Sequence, residues 1–364
     1  MRASPARARR VDLAAANAGV LRPTCLRASM VMVDGSMGGG QLVRTAATFA
    51  ALTGESVEVT DVRGAREEAG LKRQHVAALE AVAAACDADL AGAEVGSERV
   101  AVDPGALDGG ETRIDVGTAG SVPLILDAVL PLAARLEAPY RVTVSGGTDV
   151  QWAPPLDYLT EVKLPVLRAH GLDASVTPTR RGFYPAGGGA VTLTVRPSTL
   201  TALDLRERGR LRHLAVESAA SESLREADVA ARQADAAVEA LQSTAAVPVL
   251  RESAYDETAS SGSVVTVVAA YEHVRAGFSA LGERGTPAEA VAEDAVESFR
   301  AFDRTAASTD AHLADQLLPY LALAGGVYTT PERTAHLETH ADLLGTFGFD
   351  VDVADADGVV RVSR

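Results

Sequence analysis

The chain holds 364 residues, 47% apolar and 23% charged, with 49 acidic against 34 basic side chains and a formal net charge of −15. That length can enclose a large core or two domains, and no apolar run approaches a bilayer span, which excludes an integral membrane protein. The acidity excludes a broad basic face gripping long nucleic acid, and the two cysteines, Cys25 and Cys86, offer neither a disulfide framework nor a metal cluster.

Only Lys72 and Lys163 are lysines; such a lysine-poor, acidic surface suggests a halophile, and a reducing cytoplasm is the default compartment. Residues 1–29 differ from the rest of the chain, with arginines set among alanines. They read as a basic nucleic-acid arm, a targeting peptide, or upstream sequence ahead of a true start at Met30 or Met32. The last is preferred because the first strand-like run begins there, and disorder is expected up to residue 29.

Met30-Val-Met-Val33 reads as a strand, Asp34-Gly-Ser-Met-Gly-Gly-Gly-Gln41 as a glycine turn and residues 42–52 as a helix. Amides at such a helix start carry partial positive charge and form a ready anion site. Residues 56–62 alternate like a strand, residues 71–86 have helical spacing, and short strands are expected near 89–93 and 99–102. A second unit over residues 112–196 has helices at 121–136 and 156–170, the first preceded by Gly117-Thr-Ala-Gly-Ser121. It also contains Arg181-Gly-Phe-Tyr-Pro-Ala-Gly-Gly-Gly189, followed by an alternating strand at 191–196. Adjacent glycines serve either a tight packing corner or backbone lying against a ligand, and both readings stay open here.

The glycine motifs stop over residues 197–280, where strands at 203–217, an acidic amphipathic helix at 223–242 and a β-rich return at 263–271 are expected. A third unit is expected to use helices at 287–302 and 311–324, with strands near 327–330 and 359–362. Arginines gather at Arg44, Arg63, Arg66 and Arg73 and again at Arg180 and Arg181. Guanidinium forks of this kind suit phosphate, although Arg66, beside Glu67 and Glu68, serves equally well as a surface ion pair.

Taken in order, several blocks resemble the RNA 3′-terminal phosphate cyclase family. They are Asp34-Gly35 with Gly38-Gly-Gly-Gln-Leu-Val-Arg44, Arg63 with Ala69-Gly-Leu-Lys-Arg-Gln-His75, and Gly117–Ser121. Ser145-Gly-Gly-Thr-Asp149 with Ala153-Pro-Pro155, the Arg181–Gly189 segment, His312-Leu-Ala-Asp-Gln-Leu317 and Thr334-Ala-His-Leu-Glu-Thr339 complete the set. The resemblance implies an α/β fold, in α+β layers, of three repeated β-α-β-α-β-β units. These would form a large catalytic domain over 30–196 and 281–364, with a smaller inserted α/β domain over 197–280. It also implies ATP-dependent conversion of a single-stranded RNA 3′-terminal phosphate to a 2′,3′-cyclic phosphodiester, through a histidine-AMP intermediate and an RNA-adenylate.

Such chemistry needs a nucleophile for the ATP α-phosphorus. The chain has no Gly-x-x-x-x-Gly-Lys loop, and neither lysine stands in a Lys-x-Asp-Gly context, which leaves histidine as the good candidate. The family pattern singles out His336 as the adenylylated residue. By the same resemblance Asp315 and Gln316 approach the nucleotide, and Gln74 and His75 with Arg44, Arg63 and Arg73 form the phosphate side. Tyr184 and Pro185 resemble a nucleotide-facing wall.

Two departures from the family stand out. His340, four residues after His336, replaces a usual asparagine; the pair would share a helix face and could take zinc, although no further ligand cluster is evident. The first glycine turn is two residues short and lacks the glutamate that helps hold a divalent metal, Mg or Mn, leaving Asp34 as the nearest replacement. The shortened turn keeps a second reading open, a catalytically silent relative that binds RNA in ribosomal RNA processing. A sugar-phosphate transferase of similar architecture lacks support. Exposed helices of a repeated fold allow a homodimer.

Overall fold

The computed structural model describes residues 10–11 and 30–364. The expectation for residues 1–29 therefore lies outside the described residues, apart from β1 (Arg10–Val11), which pairs antiparallel with the first strand of the main fold.

The first unit runs β2 (Met30–Asp34), α1 (Gly40–Thr53), β3 (Ser56–Thr60), α2 (Arg73–Cys86), β4 (Asp89–Ala91) and β5 (Val100–Asp103). β2 and β3 pair in parallel, and β5 lies antiparallel between β3 and β4. The second unit runs β6 (Gly110–Asp115), α3 (Val122–Val129), β7 (Tyr140–Gly146), α4 (Leu156–Tyr158), α5 (Leu164–Ala169), β8 (Ala174–Arg180) and β9 (Gly189–Val195). Between α4 and α5 the helix widens into a π turn at Leu159–Lys163, because Pro165 has no N–H with which to continue the α ladder. Its sheet order is β6-β7-β9-β8, with a parallel first pair and two antiparallel pairs after it.

The third unit opens with β10 (Leu203–Leu205) and is then interrupted. The interruption carries β11 (Leu211–Ser221), α6 (Val229–Gln242), β12 (Val249–Asp256), β13 (Ser263–Tyr271), β14 (Arg275–Leu281) and α7 (Ala288–Asp303). The unit resumes with α8 (Ala311–Ala324), β15 (Gly326–Thr330), α9 (Ala335–Thr346), β16 (Asp352–Ala356) and β17 (Val359–Ser363). Its order, β10-β15-β17-β16, repeats the same one-parallel, two-antiparallel scheme.

The expected boundary at 197 does not match this pairing, since β10 belongs to the third repeat through its parallel register with β15; the interrupting sheet β12-β11-β13-β14 does end with β14 at Leu281, but the interruption runs beyond it. α7, expected as a helix of the third unit, packs instead on α6, β13 and β14, so the third unit's helices are α8 and α9. Amphipathic spacing states that a helix covers something; it does not say which sheet.

Helices of different units meet at the centre, where α1 packs on α2, α3 and α9. α1 is alanine-rich at this contact, with Ala46, Ala47 and Ala50 fully buried, and small side chains let helix axes approach closely. Lys163, one of the two lysines, is itself buried, with its Nζ 2.8 Å from Asp127 and lying over the Tyr320 ring. It is a structural ion pair.

Candidate active site

α1 begins at Gly40, and its cap residue Gly39 provides no side-chain acceptor for the first-turn amides. Three side chains from distant segments close on this turn. A Cβ built on Gly39 would lie 3.7 Å from Cε1 of His336 and 4.0 Å from a guanidinium nitrogen of Arg66. A Cβ on Gly40 would lie 1.9 Å from Nε2 of His75, so only glycine lets this imidazole sit against the turn. His336 stands exposed in the first turn of α9, whose cap Thr334 accepts the Leu337 N–H at 3.1 Å.

His75 is buried, and its Nδ1 accepts the Lys72 backbone N–H at 2.9 Å. Burial, then the charges of Arg44, Arg63 and Lys72, push its pKa down to about 3. The ring is thus neutral, and because Nδ1 is occupied as an acceptor the proton sits on Nε2, the nitrogen facing the glycine turn. Arg44 is half-buried farther along α1; burial lowers its pKa against the opposing pull of Asp127 and Asp315.

One turn behind His336, His340 is buried. Its Nδ1 lies 2.5 Å from Gln41 Nε2 and its Nε2 lies 2.9 Å from Thr45 Oγ1. Gln41 also donates to Asp315 at 2.7 Å, and Asp315 approaches His340 Nδ1 at 3.3 Å, a contact that becomes an ion pair when the ring is protonated. Burial works to raise the Asp315 pKa, but His340, Gln41 and His336 outweigh it and hold the carboxyl below its usual range. His340 is therefore a tie between α9, α1 and α8. Gln316, next on α8, is half-buried.

The second glycine turn joins the first through α2. Gln74 Oε1 accepts the Ser121 N–H at 3.1 Å, and Arg73 lies 4.0 Å from the position a Gly117 side chain would take. Arg63, Lys72, Arg73 and Thr118 border an open cleft of about 430 Å³ that also includes Glu68. Arg63 holds the Gly70 carbonyl at 2.9 Å from a left-handed backbone, φ +56°.

The segment 181–189 divides between its two readings. Arg181 ties Asp149 and Asp157 of the second unit to Asp256 of the interruption. Burial pulls against its charge, yet Asp149 and Asp157 more than offset this and raise its pKa. Side chains on Gly182, Gly187 or Gly189 would strike backbone within 3.0 Å, the Gly187 clash being with Thr118 and Ala119. These glycines make a packing corner, while Tyr184, 73% exposed, and Pro185 face outward from it.

Asp34 ends β2 with its Oδ1 accepting the Ser36 N–H at 2.8 Å. Among the described residues no group of three or more His, Cys, Asp or Glu side chains could hold a metal ion. This leaves the His336–His340 pair without the further ligands that zinc would need. Sequence reasoning left Arg66 undecided, and the structure sets it near Gly39, the glycine that His336 also approaches; it gave Gln41 no role of its own, and Gln41 links Asp315 to His340. The polarity of Gln41, directly after three glycines at a helix start, was the available signal.

Comparison with known proteins gives the family. The family model described as RNA 3′-terminal phosphate cyclase matches residues 36–353. The chain is similar to the RNA 3′-terminal phosphate cyclase of Halobacterium salinarum, 50% identical over 347 residues, covering 92% of this chain and 100% of that one. It is also similar to the proteins of that name from Pyrococcus furiosus, 38% identical with 87% and 93% covered, and Pseudomonas fluorescens, 37% identical with 88% and 93% covered.

Proposed function

This chain belongs to the RNA 3′-terminal phosphate cyclase family and to that enzyme class, and from this premise we propose that it works through a histidine-nucleotide intermediate on His336. An imidazole nitrogen of His336 attacks the α-phosphorus of ATP, and diphosphate leaves. A 3′-phosphate oxygen of RNA then attacks the phosphorus of the bound AMP, which breaks the P–N bond, frees the histidine and forms an RNA-adenylate. The neighbouring 2′-hydroxyl attacks the 3′-phosphorus, loses its proton, expels AMP and closes the 2′,3′-cyclic phosphodiester. The phosphoramidate is high in energy, which suits an intermediate that must pass its nucleotide on.

The observation that carries this reading is the exposed His336 ring set against a side-chain-free helix start, at Gly39, which the Arg66 guanidinium also approaches. In-line transfer at phosphorus requires positioning and charge neutralisation more than covalent chemistry from the protein. Arg66 supplies positive charge near the α1 turn and Arg63 and Arg73 along the cleft beside the second glycine turn, while the uncapped amides of α1 add partial charge at its start. Neutral His75 supplies one fixed N–H from Nε2, which a protonated ring would also offer, but without adding charge beside Arg44, Arg63 and Lys72. Tyr184 and Pro185 are assigned to the nucleotide wall, and Gln74, Asp315 and Gln316 to its polar contacts.

A divalent ion, Mg or Mn, would find one carboxylate at the turn, Asp34. One carboxylate plus water and phosphate oxygens is a normal set for Mg, so the residues fit an ion that arrives with ATP. Such an ion neutralises triphosphate charge. The test is incubation of the protein with α-labelled ATP and divalent metal at high salt, followed by denaturation. Acid-labile label on the wild type and none on His336→Ala is expected; equal label on both refutes the assignment of His336.

A further inference from the structure

Trp152 is the one tryptophan of the chain, and it is 96% exposed. Its backbone is left-handed, φ +66°, a conformation that bulky L-residues rarely adopt and that clusters at functional sites. Among the described residues six non-glycines have positive φ; four are aspartates, whose short side chains tolerate it, and the bulky two are Arg63 and Trp152. Arg63 borders the phosphate cleft.

The loop that presents the indole is held on both sides. Asp149 is bound by Arg181 and accepts the Leu156 N–H at 3.1 Å, and Gln151 donates to Glu283 at 2.9 Å. Pro155, three residues after Trp152, is buried. A parallel bridge joins Asp149 to Phe183, whose neighbour is the exposed Tyr184. The ring is therefore placed in solvent by a fixed frame, next to the corner that packs on the second glycine turn.

We propose that Trp152 is a stacking platform for a base of the RNA strand upstream of its 3′ end, an inference that rests on the reading of an RNA 3′ end as substrate. A flat aromatic face accepts any base, and stacking needs no positive charge. That property matters on a chain of net charge −15, where a strand cannot be gripped through a broad basic face. A protein partner would instead need a contiguous apolar patch, whereas the residue before Trp152 is the exposed, polar Gln151.

Trp152 is its own reporter, since no other tryptophan contributes to the emission. The probe is a short single-stranded RNA bearing a 3′-phosphate and a 5′ dye, so that anisotropy reports binding independently of tryptophan fluorescence. Saturable quenching that tracks anisotropy is expected, with no change on adding ATP alone. Trp152→Ala is expected to weaken RNA binding about ten-fold, and Trp152→Phe to restore most of it. Trp152→Gly, which suits the left-handed backbone, is expected to unfold at or above the wild-type temperature and still to bind RNA about ten-fold more weakly. A purely structural residue would not separate those two readouts.

RNA that binds without changing the emission, together with a Trp152→Ala affinity within about two-fold of wild type, overturns the proposal while leaving the cyclase reading intact. Quenching by ATP alone assigns the platform to the adenine of ATP and overturns the RNA assignment. Emission that shifts on dilution without RNA assigns the indole to a contact between copies, with the same consequence. No anisotropy change at all overturns both this inference and the RNA reading beneath it.

Discussion

Gly40→Ala tests the packing that sets His75 against the glycine turn. The new methyl would stand 1.9, 2.5 and 2.8 Å from Nε2, Cδ2 and Cε1 of that ring, where ordinary contact begins at 3.4 Å. The ring would have to retreat about 1.5 Å, the difference between 3.4 and 1.9 Å. It is buried, and Nδ1 is bound to the Lys72 N–H, so retreat means overpacking and loss of that bond. Overpacking costs about 1–3 kcal/mol and the hydrogen bond about 1 kcal/mol, against a gain of up to about 1 kcal/mol from alanine's helix propensity. The net loss is about 1–3 kcal/mol, and misplacing a phosphate-side group by more than 1 Å lowers the rate about a hundred-fold. Denaturant unfolding and single-turnover self-labelling with ATP read the two effects. His75→Ala should absorb most of the stability loss when combined with Gly40→Ala, because the clash then has no partner. Gly39→Ala is the control for stability alone, since its methyl meets nothing nearer than the His336 ring at 3.7 Å. Wild-type stability and wild-type labelling in Gly40→Ala would refute the reasoning.

Three further outcomes are expected. His75 is held near pKa 3 by burial, below its unfolded value of about 6.5, so the stability it contributes is present above pH 6.5 and is lost as pH falls toward 3. The stability gap between wild type and His75→Gln should narrow by about 2 kcal/mol between pH 7 and pH 5, measured by urea unfolding. Glu217 behaves in the opposite sense: burial, then Asp157, Glu252 and Glu161, push its pKa up to about 7, so the folded state is disfavoured as pH rises from 4.5 to 7. Glu217→Gln should stabilise by about 1 kcal/mol at pH 8, after allowance for its partial exposure, and should show no gain at pH 4. Lys163→Met should cost about 3 kcal/mol in the same unfolding assay, because it leaves Asp127 without its buried partner; an unchanged midpoint would refute that ion pair's role.

Local features carried far in this chain. The glycine turn before α1, the helical spacing of α2 and the alternation of β3 and β9 depend on near neighbours, and the structure has these elements close to the expected residues. Expected helix 121–136 is shorter, ending as α3 at Val129 before a 3-10 turn at Leu130–Ala134, where Pro131 removes an N–H from the ladder. β12 and β14 went unassigned because their exposed or irregular patterns lack clean alternation, and α9 was expected only conditionally, although Thr334 is a capping residue at its start.

Sequence by itself narrowed the candidates for the proposed chemistry: two lysines stand in unsuitable contexts, the family resemblance singles out one histidine, and arginines suited to phosphate are at hand. The three repeated units came from the resemblance to the family rather than from a sequence period. Only the tertiary structure decided that β10 opens the third unit across an interruption of about a hundred residues, since strand partnership is a long-range register that no local pattern encodes. It alone decided that Lys163 and Arg181 are structural ion pairs and that Arg66 and His336 both approach Gly39. A residue type states which interactions a side chain can make; burial and the approach of distant segments decide which of them it does make, and those are properties of the folded chain.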